Sequence, residues 1–223
     1  MTRILVLRPE PGASETVGRA RDAGFDVVTV PLFTIAPLAW VAPDPSAHDA
    51  LLLTSANAVR HGGDQLRALR DLPVHAVGEA TATAARDAGF TVASSGEAGV
   101  ERLLGSIDQE LRLLHLCGED RRAPERASQE ITAIAVYRAT TVEGPVLDAA
   151  AGGIALIHSP RAGARFSDLV DRDSRATIII AAISAAAARA AGGGWKAVEV
   201  AERPDDAALL ALAARLCQKS PAP

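Results

Sequence analysis

An α/β architecture of two similar halves, each a parallel sheet wrapped by crossover helices, is the fold class this sequence predicts. Short β-rich apolar runs alternate with Ala- and Arg-rich helical stretches along the whole chain, the pattern of buried strands returned by helices. Several helix-length stretches close on Gly24, Gly89 or Gly192, the residue type that best tolerates the left-handed turn after a helix. An internal repeat sets the number of halves. TSANAV at 54–59 is echoed by HSPRAG at 158–163, and GEATATAARDAGFTV at 78–92 by AAISAAAARAAGGGW at 181–195. RILVLRPE at 3–10 pairs with RLLHLCGE at 112–119, and VVTVPL at 27–32 with IAVYRA at 134–139.

From the start of the chain, ILVL at 4–7 and DVVTV at 26–30 read as strands on either side of a helix. PLFTIAPL at 31–38 is extended and β-branched and no helical pattern follows it directly, so it reads as a connector. Strands then follow at 50–54 (ALLLT), 74–78 (VHAVG), 91–94 (TVAS), 113–117 (LLHLC) and 133–137 (AIAVY). A second connector, VYRATTV at 136–142, precedes strands at 154–158 (IALIH), 177–181 (TIIIA) and 197–201 (AVEVA). The apolar run at 178–191 is interrupted by Ser184 and Arg189, and it divides better into a buried strand and a helix than into a membrane span. The connectors carry the chain from one sheet to the other and back. The first domain is therefore discontinuous, residues 1–36 with 140–223, and 37–139 form the second. The two crossings make a hinge, and the cleft between domains is the natural ligand site.

Composition narrows the function classes. The 223 residues are 48% apolar and only 3% aromatic, enough for sizeable cores built by close helix-on-sheet packing rather than by large rings. Lys and Arg number 23 against 27 Asp and Glu, a net charge of -4, which argues against a nucleic-acid partner. An anionic ligand must then be held by a local arrangement of donors. Cys117 and Cys217 show no ligand or disulfide spacing, as expected of reduced thiols in a cytoplasmic protein. The five histidines form no ligand spacing either, so core or surface roles are expected rather than metal binding. No export signal or membrane segment is evident. The charged helices suit a soluble monomer.

The polar residues of interest stand where strands end and helices begin. Thr54 and Ser55 close an apolar strand just ahead of Ala56, placing a hydroxyl beside unpaired backbone N–H groups, an arrangement that suits an anion. Ser159 before Pro160 repeats it, with proline in a favoured first-turn position. Gly78 with Thr81, and Ser184 in the echoing segment, make further starts of this kind. Each Ser or Thr equally fits a simple helix cap; their recurrence is what points to a ligand with many carboxylates.

LRPEP at 7–11, AGFDVVTVPLFTIAPL at 23–38, TSANAV, VGEATATAARDAGF at 77–90 and VYRATTV together resemble the uroporphyrinogen-III synthase family in order, spacing and discontinuous layout. That resemblance implies two flavodoxin-like domains joined by a two-stranded linker. It also implies a hydro-lyase of heme biosynthesis that cyclises the linear tetrapyrrole hydroxymethylbilane with loss of water and inversion of ring D, using neither metal nor organic cofactor. The substrate's acetates and propionates would be held by Arg8, Thr54, Ser55, Ala56, Gly78, Thr81, Gly118, Arg121, Ser159, Arg161 and Ser184. Arg122 is a further candidate, and CGEDRRAPER equally reads as a solvated helix start. Tyr137, the only tyrosine, matches the family's VY motif. It is expected to help the substrate hydroxyl depart as water.

The sequence departs from the family pattern at AAIS (181–184), where a glycine and two threonines are usual, and at His158, where an apolar residue and Thr are usual. A non-catalytic cleft protein of the same descent, binding a small polyanion or a regulatory partner, is the alternative reading. A receiver domain lacks its acidic cluster after the first strand, a flavin site its full phosphate loop, and a dinucleotide site its G-x-G-x-x-G.

Overall fold

The computed structural model describes residues 2–96, 99–121, 123–124 and 127–219. The chain opens with β1 (Arg3–Val6), α1 (Gly12–Asp22), β2 (Asp26–Thr29), β3 (Phe33–Pro37), β4 (Ala50–Leu53), α2 (Ala56–His61), β5 (Val74–Val77) and α3 (Glu79–Asp87). It continues with β6 (Val92–Gly96), α4 (Val100–Leu104), β7 (Arg112–Gly118), β8 (Glu130–Thr141), β9 (Ile154–Ile157) and α5 (Pro160–Leu169). It ends with α6 (Arg172–Arg175), β10 (Ile179–Ala182), α7 (Ala185–Ala191), β11 (Ala197–Val200) and α8 (Asp206–Lys219). Two compact units form, one of Met1–Thr34 with Thr141–Pro223 and one of Ile35–Thr140.

In the first unit the sheet order is β11-β10-β9-β1-β2, with every pairing parallel. Apart from β3, the second sheet runs β8-β7-β4-β5-β6, again parallel. The neighbour relations are the same in both, with β7 and β8 standing where β1 and β2 stand. The second unit is thus the same strand order begun at a different point of the chain, which is why RILVLRPE and RLLHLCGE echo each other although one opens its unit and the other comes late in it. A parallel sheet of this order has a switch point, β1 beside β9 and β7 beside β4, and ligands of such folds bind outside the carboxyl ends of the strands there.

Fully buried central strands account for the apolar runs. Residues 4–6 of β1, all of β4, residues 113–117 of β7, and all of β9 and β10 are buried. Alternate residues feed opposite faces: Leu51, Leu53, Leu114 and Leu116 join one cluster of the second unit, while Ala50, Leu52 and Leu113 join another with Leu103 and Leu104 of α4. The Ala-rich segment divides into β10 and α7, and its composition has a packing cause. A Cβ on Gly163 of α5 would lie 2.8 Å from the Ala187 carbonyl oxygen and 3.0 Å from the Ala191 nitrogen, so the α5 and α7 backbones approach to a distance that only small residues allow. Among the described residues no helix is long and apolar enough to cross a membrane.

Two expectations change, the extent of one strand and the helix start at Arg121. The strand read at 133–137 extends over Glu130–Thr141, because strand and connector are one continuous element. The other connector contains β3, which lies beside β8 at the sheet edge; Leu38 N–H donates to the Val136 carbonyl and Val142 N–H to that of Leu32, so the two run in opposite directions. No helix begins at Arg121: its N–H closes a turn on the Gly118 carbonyl, and the described residues up to β8 are irregular. Pro124, which disfavours a helical residue before it, is consistent with that.

Candidate functional site

In the second unit the candidate residues gather at the carboxyl ends of neighbouring strands. Thr54 and Ser55 follow β4, Gly78 and Thr81 follow β5, Gly118 closes β7 and Tyr137 lies in β8. Ser55 caps α2, its hydroxyl oxygen accepting from Asn57 N–H at 3.2 Å, and Ala56 beside it is buried. A capping hydroxyl that accepts still has its proton to donate. Gly78 takes φ 84° at the start of α3, a conformation costly for any residue with a Cβ. Thr81, in the first turn of α3, is only 5% exposed.

Tyr137 is placed by a glycine. Gly118 pairs with Tyr137 across a register shift between Cys117 and Gly118, and Glu119 N–H donates to the Tyr137 carbonyl at 2.9 Å. A Cβ on Gly118 would meet Tyr137 Cε2 and Cζ at 2.9 Å and its hydroxyl oxygen at 3.1 Å. The phenol therefore lies against backbone where a side chain would otherwise stand. The His61 ring, at the end of α2, is 6.3 Å from the tyrosine ring, and burial, then Arg60, holds its pKa below the usual histidine value.

His115 occupies the middle of β7 at 2% exposure. Its Nε2 lies 3.0 Å from Thr54 Oγ1, and its Nδ1 is buried without a partner among the described residues. Burial, reinforced by the Arg121 charge, lowers its pKa to about 4, so the ring is neutral at physiological pH. Burial raises the Cys117 thiol in turn, with Arg121 opposing. The Arg121 side chain itself is exposed, and Arg122 lies outside the described residues.

The first unit places Arg8 after β1, Ser159 after β9 and Ser184 after β10, at the ends of three adjacent strands. Ser159 and Ser184 both cap helices, accepting from Ala162 N–H at 3.1 Å and Ala187 N–H at 3.3 Å. The structure corrects the register of the repeat here: Ser184 is an N-cap, as Gly78 is, whereas Thr81 lies inside its helix. The Arg161 guanidinium lies over the Phe33 ring, 4.5 Å from its centre.

Arg8 belongs to a network that the sequence motifs did not indicate. Its Nη1 donates to Thr16 Oγ1 at 3.3 Å and lies 3.6 Å from Asp206. The Asp206 carboxylate, 14% exposed, accepts from Thr16, from Arg19 Nε and from His158 Nε2, each at 2.8 Å. Burial is the largest influence on this carboxyl and would raise its pKa; the hydrogen bonds from His158, Thr16 and Arg19 outweigh it and hold Asp206 well below the usual carboxylate range. No local pattern announces Asp206, whose partners lie as far as 190 residues away. His115 did carry a signal, a polar residue within the buried run LLHLC.

Hydroxyls and guanidinium groups at strand ends, with one phenol level with the end of β7, are equipped to bind carboxylates and to protonate a leaving hydroxyl. Residues 14–211 match the family described as uroporphyrinogen-III synthase HemD. The chain belongs to this family. One uroporphyrinogen-III synthase structure shares its fold: a mutant enzyme from the extremely thermophilic bacterium Thermus thermophilus aligns over 99% of this chain and 100% of its own, with 18% identity and a TM-score of 0.53. A further Thermus thermophilus uroporphyrinogen III synthase aligns over 98% of this chain and 100% of its own at 16% identity, with a TM-score of 0.44. Comparison with curated proteins finds no match.

Proposed function

We propose that this chain cyclises hydroxymethylbilane to uroporphyrinogen III, losing water and inverting ring D, as a monomer in the cytoplasm. Membership of the synthase family over residues 14–211 is the observation that carries this reading. The two compact units serve as its domains. Tyr137, held against Gly118, donates a proton or hydrogen bond to the departing hydroxyl, a contribution of about 100- to 10,000-fold for a positioned acid. The resulting azafulvene, left free, closes at the nearest carbon and gives the unrearranged isomer. The protein instead directs attack through the substituted carbon of ring D, and a spiro intermediate recloses with that ring reversed.

Such steering requires the carboxylates to be fixed. Arg8, Ser159, Arg161 and Ser184 supply donors in the first unit, and Thr54, Ser55, Ala56, Gly78, Thr81, Gly118 and Arg121 in the second. Contacts at exposed helix ends contribute about 0.3–1 kcal/mol each, so specificity comes from many acting together on one bound conformation. Neutral donors also reconcile an octa-acid substrate with a net charge of -4.

The test supplies freshly generated hydroxymethylbilane and resolves the oxidised products into type I and type III isomers. Type III product, slowed in Tyr137→Phe and Thr81→Ala, is the expected result. Type I alone, at the protein-free rate, removes the proposal.

A further inference from the structure

The buried histidine of β7 has a task that its place in the sheet alone does not explain. Leu52 is the Cα partner of His115, and Thr54 lies two residues beyond Leu52, so both polar side chains project from the same face. The Nε2 to Oγ1 distance of 3.0 Å makes them hydrogen-bond partners, and it is the only hydrogen bond of either side chain among the described residues.

Two neutral tautomers satisfy this geometry with opposite consequences. With the proton on Nδ1, the ring buries an unpaired N–H and Thr54 spends its own proton on Nε2. With the proton on Nε2, the ring donates to Thr54 Oγ1, the buried orphan is a lone pair, and the threonine proton stays free. Orphaned buried N–H groups are rarer than under-used acceptors, which favours the second arrangement. The doubly protonated ring is excluded at physiological pH, since burial and Arg121 lower the histidine pKa to about 4.

We propose that His115 is a positioning residue: as the Nε2–H tautomer it donates to Thr54, committing the threonine hydroxyl to act as a donor toward a carboxylate of the substrate. The proposal deepens the synthase reading and rests on Thr54 facing substrate. Threonine offers one proton and two lone pairs. Once the histidine occupies a lone pair, the proton points elsewhere and selects an acceptor over a donor.

Two experiments test this, and they fail separately. Histidine-labelled 15N NMR of the full chain, with His115 assigned by its loss in His115→Gln, is expected to show Nε2 protonated and Nδ1 bare at neutral pH. The opposite tautomer overturns the proposal whatever the catalytic result. In the isomer assay, His115→Leu and Thr54→Val are each expected to raise KM by about 10- to 150-fold, the size of one hydrogen bond to a charged group, with kcat within about twofold, as for an interaction made equally in ground and transition states. The double variant should be no worse than either single one. His115→Gln, whose amide nitrogen reaches the place of Nε2, should recover most of the loss, and His115→Asn should not. Additive effects, or equal KM values for the Gln, Asn and Leu variants with native circular dichroism, overturn the positioning role. Absence of type III product from the unmutated protein fails the synthase reading and leaves the tautomer result standing.

Discussion

Replacing Gly118 by alanine probes the placement of the one phenol in the protein. Gly118 has no positive φ, so alanine brings no backbone strain, and the perturbation is confined to a single methyl group. That methyl would lie 2.9 Å from Cε2 and Cζ of Tyr137 and 3.1 Å from its hydroxyl oxygen. Ordinary carbon contacts begin near 3.5 Å, so the ring must retreat by roughly half an ångström or more. Inserting a methyl into such a contact typically costs about 1–3 kcal/mol of stability, and a displacement of about 1 Å at a reacting group costs on the order of 100-fold in rate. The expected result is a fall in type III formation of about 10- to 100-fold, measured by isomer-resolved chromatography, with the thermal midpoint lowered by about 2–12 °C. If the loss acts through Tyr137, then Gly118→Ala added to Tyr137→Phe should slow the reaction little beyond Tyr137→Phe alone. A Gly118→Ala protein with the unmutated rate, or a loss equally large on the Tyr137→Phe background, would refute the argument.

Asp206→Asn should destabilise the first unit by about 1–3 kcal/mol at neutral pH. Because the folded carboxyl pKa lies below its unfolded value of 3.8, that stabilisation is present above about pH 4 and is lost as pH falls toward the folded value. Urea midpoints of the two proteins should therefore converge in acid; a constant gap would contradict the depressed pKa. Gly163→Ala, whose methyl would meet the Ala187 carbonyl oxygen at 2.8 Å, should cost about 1–3 kcal/mol in calorimetry while leaving the isomer ratio intact. Ser159→Ala removes a helix cap worth about 0.5–2 kcal/mol; a rise in KM beyond that loss of stability would mark the hydroxyl as a substrate donor, and an unchanged KM would leave it a cap.

Much of the fold was legible because buried parallel strands leave apolar runs and helices end on glycine. The first four residues of ALLLT and of IALIH became β4 and β9, all of them buried, and the polar fifth residue of each falls just outside its strand. Gly24, Gly89 and Gly192 all took positive φ. What failed was register and range. The echo of Thr81 by Ser184 compares residue types, whereas the helix starts fall at Gly78 and Ser184, since an N-cap is fixed by backbone geometry that a hydroxyl assists but does not dictate. The candidates were legible where strand and helix adjoin in sequence, as at Thr54 and Ser55. Asp206 was not, because its role exists only once α8 brings it to Thr16, Arg19 and His158.

The same distinction separates the two halves chemically. In the first unit the charged groups are largely spent on one another: Arg8 and Arg19 share Asp206, and His158 adds a third partner. A carboxylate approaching Arg8 must compete with that partly buried counter-ion, so this network favours fixing the position of a guanidinium over giving it its full charge. In the second unit the side-chain donors are mostly hydroxyls and only partly engaged, the phenol of Tyr137 resting against the Gly118 backbone and the Thr54 hydroxyl bonded to a buried, neutral imidazole. Proton transfer needs a group with a free donor rather than a compensated charge. On the proposed reading, the leaving hydroxyl would be served by the second unit, and the first unit would hold carboxylates that do not react.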